Sequence, residues 1–225
     1  MTQIAATTTA TTEARCDILY QDDYLVVINK PPGLLSVPGR GADKQDCAAS
    51  RLQARVGDAR VVHRLDCATS GVMLFAIGAE MQRALSRLFH DREVRKEYVA
   101  LVEGCVSDER GSIDIAMRGE PSLRPLQIID EINGKPALTH WQLISRTRSA
   151  SRLRLLPQTG RTHQLRVHCL ALGHPIIGDR LYNQTLHNQT SSGKTGGRMM
   201  LHALSLRFAH PATGADMLFE AACDF

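Results

Sequence analysis

The 225 residues are enough for one large domain or two tightly joined lobes around a sizeable core. Their 43% hydrophobic and 22% charged content is ordinary for a soluble globular chain. A net charge of +4 and a pI near 8.8 permit a nucleic-acid partner without requiring one. No apolar run reaches the length of a membrane span. The six cysteines are widely spaced with no C-x-x-C pair, which excludes a zinc ribbon and a disulfide-dense secreted scaffold and fits reduced thiols in the cytoplasm.

Residues 1–14 open Met1-Thr2-Gln3-Ile4 and continue largely in Ala and Thr, with no basic start and no apolar core. They are no secretory signal, and a disordered tail is expected. Ordered structure is expected from Asp17 onward. Ile18-Leu19-Tyr20 and Tyr24-Leu25-Val26-Val27-Ile28 flank a short polar turn and read as a hairpin. Asn29-Lys30-Pro31-Pro32-Gly33 then breaks the ladder, and Leu34-Leu35-Ser36-Val37-Pro38-Gly39 reads on spacing alone as more turn-rich loop. Ala48, Leu52 and Val56 fall at four-residue steps and suggest a helix over 44–56.

The next stretch, Val61-Val62-His63-Arg64-Leu65-Asp66-Cys67-Ala68-Thr69-Ser70-Gly71 and then Val72 to Ala76, sets an ionisable Arg-x-Asp pair on a loop between two apolar strands. Rigidly held loops are where chemistry tends to sit, although an Arg-x-Asp alone is usually a surface pair. Ala79 to Val94 reads as a helix with Met81, Leu85, Leu88 and Phe89 on one stripe and Arg83, Arg87, His90 and Arg92 off it. Arg95 to Val102 reads as a strand carrying Tyr98. Residues 111–136 look loop-rich with a short strand at Leu126–Ile129, and strands follow over Ala137–Ile144 and Arg152–Leu156.

Thr159-Gly160-Arg161-Thr162-His163-Gln164-Leu165-Arg166-Val167-His168 begins as a turn and passes into a helix that Gly173 stops. Leu165, Cys169 and Leu172 share a face, leaving Arg161, Gln164, Arg166 and His168 for polar work. Residues 183–197 form a polar loop, and Met199–Phe208 with Asp216–Glu220 make a closing hairpin. Hairpins and single helices between strands point to an α+β fold rather than a doubly wound parallel sheet. His63, His163 and His168 lack the spacing of a zinc-binding helix, so no metal is expected.

The H-R-L-D-x-x-T-S-G stretch and its apolar strand resemble the central motif of the RluA-type pseudouridine synthases. N-K-P-P-G resembles that family's first motif, K-E-Y-x-A its second catalytic motif, and T-G-R-T-H-Q-L-R-V-H its third. The resemblance spans about Asp17 to Phe225. It implies one catalytic domain over 15–225, a bent, mostly antiparallel sheet flanked by helices with a central RNA-binding cleft, and no sequence to spare for an S4-type RNA-binding module. The compact members most like this chain modify both a tRNA anticodon loop and a 23S rRNA hairpin loop.

The resemblance also implies roles for residues. Asp66 would attack C1′ of a flipped uridine or retain a glycal-like intermediate. A carboxylate on a buried loop needs a cationic neighbour to stay charged, and Arg166, 100 positions away, is the one implied. Tyr98 would stack on the uracil, since a phenol of pKa about 10 is a poor base at neutral pH. Arg64 would hold the RNA open where the nucleotide leaves its stack, with Arg161, His163 and Gln164 as further RNA contacts. The reaction needs no cofactor, and the partner is structured RNA rather than DNA or a membrane, met by a cytoplasmic monomer. Two other classes carry less: a noncatalytic RNA-binding protein with the same fold, and a hydrolase using Asp66, for which no base or oxyanion motif can be assigned.

Overall fold

A computed structural model describes residues 16–183 and 197–225. The tail expected at 1–14 and the loop expected at 183–197, apart from Asn183 and Gly197, lie outside the described residues. In chain order the elements are β1 (Asp17–Gln21), β2 (Leu25–Lys30), α1 (Ala48–Val56), β3 (Ala59–Val61), β4 (Ser70–Ile77), α2 (Gly78–His90), β5 (Arg95–Glu103), β6 (Arg110–Asp114), β7 (Met117–Gly119), β8 (Gln127–Ile129), β9 (Leu138–Arg146), β10 (Ala150–Pro157), α3 (Gln164–Ala171), β11 (Leu201–Ala209) and β12 (Asp216–Glu220).

Among the described residues, ten strands share one sheet in the order β1-β2-β4-β11-β5-β10-β9-β6, with β3 added to β4 and β12 to β11. Strands β7 and β8 pair separately. Among these strands only β4 and β11 run parallel, and that seam joins the two halves of the sheet. At the seam Ala203 faces Gly71, whose φ of 110° and contact with the Ala203 backbone leave no room for a Cβ. This is the α+β, mostly antiparallel architecture expected from the sequence.

Strands β2 and β4 are buried on both faces, which is why each reads as an unbroken apolar run. Val26, Ile28, Met73 and Phe75 pack on one side with Ala48, Ala49 and Leu52 of α1. Leu25, Val27, Val72 and Leu74 pack on the other with Met81 and Leu85 of α2. Beyond the seam, Ala100, Val102, Leu153, Leu155 and Trp141 form a third cluster with Leu165 and Cys169 of α3. Each fully buried side chain of this size stabilises the fold by roughly 1.5–3 kcal/mol, so the sheet forms a stiff floor beneath the loops at the seam.

Three sequence expectations change. Helix α1 starts at Ala48 rather than 44, because Cys47 and Ser50 form a reciprocal cap: Ser50 N–H donates to Cys47 Sγ (3.3 Å) and Cys47 N–H to Ser50 Oγ (3.1 Å). Helix α2 stops at His90 rather than 94, since Arg92 turns to φ 64° and Val94 is drawn into the core. The stretch expected to be loop-rich holds β7 and, on the sheet edge, β6 as well. Only Ile113 of its five residues is buried, so the run R-G-S-I-D carries almost no apolar signal.

Candidate active site

The sheet seam carries a cleft of about 550 Å³, bordered by the loop that follows β3, by β5 and by the N-terminal end of α3. Strand β3 pairs with β4 through Val61 opposite Phe75, and residues 62–69 connect them as a loop. Where that ladder ends, a side chain extends it. His63 Nε2 accepts the Leu74 N–H (2.9 Å) while the ring stacks on Phe89 with centroids 4.6 Å apart. Burial, and then the charge of Lys96, push the His63 pKa down to about 3, so the ring stays neutral and can accept that bond.

The residues on either side of Asp66 are clamped by the Pro-rich segment that spacing alone reads as loop. Ser36 Oγ donates to the Leu65 carbonyl (2.6 Å) and accepts the Leu65 N–H (3.1 Å). The Cys67 carbonyl accepts from Gly33 N–H (2.8 Å) and from the buried Lys30 Nζ (3.2 Å). Lys30 Nζ also donates to the carbonyls of Leu34 (2.8 Å) and Pro31 (2.9 Å). Burial lowers the Lys30 pKa to about 8, partly countered by the nearby Cys67, Cys16 and Asp66. The Thr69 N–H then closes the turn on the Asp66 carbonyl (3.0 Å).

The Asp66 side chain remains about one-fifth exposed at the cleft. Arg166 Nη1 reaches its Oδ2 at 3.1 Å, bringing together two groups 100 positions apart. The other edge of the guanidinium is held by Asp179, with Nε to Oδ2 and Nη2 to Oδ1 both at 2.7 Å, and the Arg166 plane lies 5.0 Å from the Tyr182 ring centroid. Although burial alone would lower the Arg166 pKa, Asp179 and Asp66 together hold it above its ordinary value. A permanent cation therefore sits against Asp66, as the sequence reading required.

His163 precedes α3 in the left-handed region, with φ 56°. Its Nδ1 lies 2.7 Å from the Tyr182 hydroxyl and its Nε2 3.8 Å from Asp66 Oδ2. With Tyr182 donating to Nδ1, Nε2 carries the ring proton toward the carboxylate. Burial lowers the His163 pKa despite Asp66, which favours the neutral ring. Tyr98 lines the same cleft from β5. Burial first, and then Asp66, raise its phenol far above the ordinary value, so the hydroxyl keeps its proton. Lys96, on the same side of β5 two residues earlier, donates to the Thr159 carbonyl (3.0 Å), and burial and then Arg92 lower its pKa to about 8.

Arg64 is exposed at the cleft, and Arg161 borders it while its Nε donates to the Pro136 carbonyl (3.1 Å). Gln164 differs from its expected role as an RNA contact. Its Oε1 accepts from Thr159 Oγ1 (2.7 Å) and Arg161 N–H (2.9 Å), and its Nε2 donates to the Leu138 carbonyl (3.1 Å) and Thr139 Oγ1 (3.0 Å). All four capacities of the amide are filled internally, so it braces the loop instead. His168, expected on a polar face, is buried against Thr139, because α3 is covered on nearly every side. His63, His163 and His168 thus serve three separate partners.

Sequence reasoning missed Asp179, Ser36 and Lys30 as members of the site. Asp179 stands alone in G-D-R-L-Y, and its only sequence signal is a carboxylate beside a Gly turn.

The family model for RNA pseudouridylate synthase matches residues 24–171. The dual-specificity RNA pseudouridine synthase RluA of Haemophilus influenzae is 42% identical over 214 residues, 95% of either chain. The RluA of Escherichia coli strain K12 is 44% identical over 209 residues, covering 92% of this chain and 93% of its own. Among solved structures, human RNA pseudouridylate synthase domain containing 1 superposes with a TM-score of 0.74 at 31% identity, over 92% of this chain and 83% of that one. Domain containing 4 gives 0.71 at 29%, over 92% and 88%.

Proposed function

This chain belongs to the RNA pseudouridylate synthase family and isomerises uridine to pseudouridine in RNA; we propose that Asp66, Arg166, Tyr98 and Arg64 carry that isomerisation. The observation that supports this most is the Asp66–Arg166–Asp179 arrangement. It leaves one carboxylate facing the cleft with a cation on a single side.

The reaction breaks the N1–C1′ bond, turns the uracil and joins C5 to C1′, while the hydrogen on C5 leaves and N1 gains one. Product and substrate are isomers, so the balance calls for no oxidant or cofactor. Asp66 supplies the carboxylate that attacks C1′ or retains a glycal-like intermediate. Arg166, locked by Asp179, orients that carboxylate and neutralises it while C1′ is attacked. Tyr98 is the platform on which the flipped base stacks, and a phenol that keeps its proton suits stacking better than proton removal. Arg64, exposed at the mouth, fills the space the nucleotide vacates. Arg161 contacts the RNA beside it, and His163 offers its Nε2 to the RNA on the Asp66 side.

The uridines lie in hairpin loops, where base extrusion costs less than in a duplex. The identities to the dual-specificity enzymes favour a tRNA anticodon loop and a 23S rRNA hairpin loop. Substrates of that kind favour the cytoplasm, and no described helix is long and apolar enough to cross a membrane. One chain contributes every group named, so a monomer suffices.

Release of tritium from RNA labelled at uridine C5 tests the chemistry. Wild type is expected to release it, and Asp66→Asn to fall by at least about 10³-fold while staying folded. Release that persists in Asp66→Asn removes Asp66 from its role. Pseudouridine mapping in cells lacking the protein tests the substrates: both a tRNA and a 23S rRNA site should disappear, and loss at only one refutes dual specificity.

A further inference from the structure

Outside the cleft, a run of unpaired charge among the described residues lies along α2. Arg83, Arg87 and His90 occupy positions i, i+4 and i+7, so they share one face, and all three are exposed. They line a shallow surface groove together with the neutral Gln82 and Ser86, and no carboxylate lines it. Arg51, Arg60, Arg118, Arg146 and Arg207 each hold an acidic partner. Among the described residues, Arg83, Arg87, His90 and Arg92 have none within ion-pair distance, although Glu80 and Asp91 are close along the chain. Two arginines at i, i+4 repel each other and weaken a helix slightly. The helix dipole favours cations in the last turn, which accounts for Arg87 and His90 but not for Arg83.

The strip is continuous with the site. His90 borders both the α2 groove and the cleft. Arg92, at φ 64° in the turn after α2, also lines the cleft, close enough to Lys96 for its charge to act on that ammonium. From Arg83 to His90 the helix rises about 10 Å, so the strip spreads its charges along a line rather than gathering them at one point. A loop seated in the cleft has its stem leaving over the rim, and this strip leads away from the rim.

We propose that the outer face of α2, from Arg83 through His90 to Arg92, binds the phosphates of the double-stranded stem that presents the target loop. The proposal rests on the RNA-isomerase reading and extends it from the loop to the helix below. Phosphate contacts of this kind carry no base information: they set the register in which the loop meets Asp66. They also make affinity depend on salt, through the counterions that each contact releases.

The test uses the full chain carrying Arg83→Gln and Arg87→Gln. Binding is measured by anisotropy to a labelled RNA hairpin and to its loop sequence as an unpaired oligonucleotide, between about 50 and 200 mM salt. The double variant is expected to bind the hairpin about tenfold more weakly, with the slope of log K against log salt reduced by about 1–2. Binding to the oligonucleotide should change by less than about twofold, and Arg83→Lys with Arg87→Lys should restore most of the hairpin affinity. Equal losses on both RNAs overturn the stem assignment, as does an unchanged hairpin affinity with an unchanged salt slope. Wild type that binds the hairpin but releases no tritium from it strikes the catalytic reading and leaves the strip standing.

Discussion

On the Asp66 wall of the cleft every restraint around the carboxylate ends on main-chain groups: Ser36 on Leu65, Gly33 and Lys30 on Cys67, and Thr69 on Asp66 itself. On the Arg166 wall the restraint is a bidentate ion pair between two buried side chains. The first arrangement fixes a carboxylate without occupying its oxygens, which stay free for Arg166 and a substrate. The second fixes a guanidinium along one edge, through Nε and Nη2, leaving Nη1 for the carboxylate. The walls should therefore fail in different ways. Breaking the Asp66 wall should loosen its loop, and breaking the Arg166 wall should leave a buried guanidinium with only the part-exposed Asp66 to balance it.

The sharpest break is Asp179→Asn. It strands Arg166 without its buried counter-charge and should destabilise the fold by about 3–5 kcal/mol, read by urea denaturation. Activity should fall with it even at temperatures where the variant is folded, because the orientation of Nη1 toward Asp66 is lost. A variant as stable and as active as wild type would show that Asp179 does not anchor Arg166.

Lys30 offers a comparison through pH. Its folded pKa, about 8, lies below the unfolded value of about 10.4. Between those values the unfolded chain binds more protons than the folded one, so this group's contribution to stability rises with pH across that window. Denaturation of wild type and Lys30→Met at several pH values isolates the effect. The stability difference, wild type minus variant, should grow by on the order of 3 kcal/mol between pH 8 and 10.4. A constant difference would mean that Lys30 titrates normally.

Ser36→Ala is the gentlest test. It leaves the buried N–H and carbonyl of Leu65 without their shared hydroxyl, at a cost of about 1–3 kcal/mol. If the clamp positions Asp66, kcat should fall while KM for RNA stays near its original value. Unchanged kcat and KM in the folded variant would make Ser36 a contributor to stability only.

How much of this was legible beforehand differs between the same two walls. Asp66, Arg64, Tyr98 and Arg166 each stand in a motif, and the apolar runs of β2, β4 and β5 announce the sheet that carries them. What the sequence hides is contact at long range. Ser36 meets Leu65 across 29 positions, and Asp179 recognises Arg166 only because α3 and the turn after it fold together. Gln164 misled for a related reason. On a helix covered on one side a polar residue faces water, but α3 is buried from Gln164 to Cys169, so its amide turned to the loop. Strand β6 escaped because an edge strand needs few apolar residues to hold its place.

The parallel seam between β4 and β11 also bears on how the protein is made. Strand β4 is complete at residue 77, yet its seam partner does not begin until residue 201. At about 5–20 residues per second of synthesis, the nascent chain spends several seconds with that edge of β4 unpaired and with Asp66 and Arg64 already translated. The floor beneath the cleft closes only when β11 slides between β4 and β5, so the half-made chain has the reactive loop but no assembled cleft around it. Chaperone binding to the nascent chain should accordingly persist until β11 is free to pair.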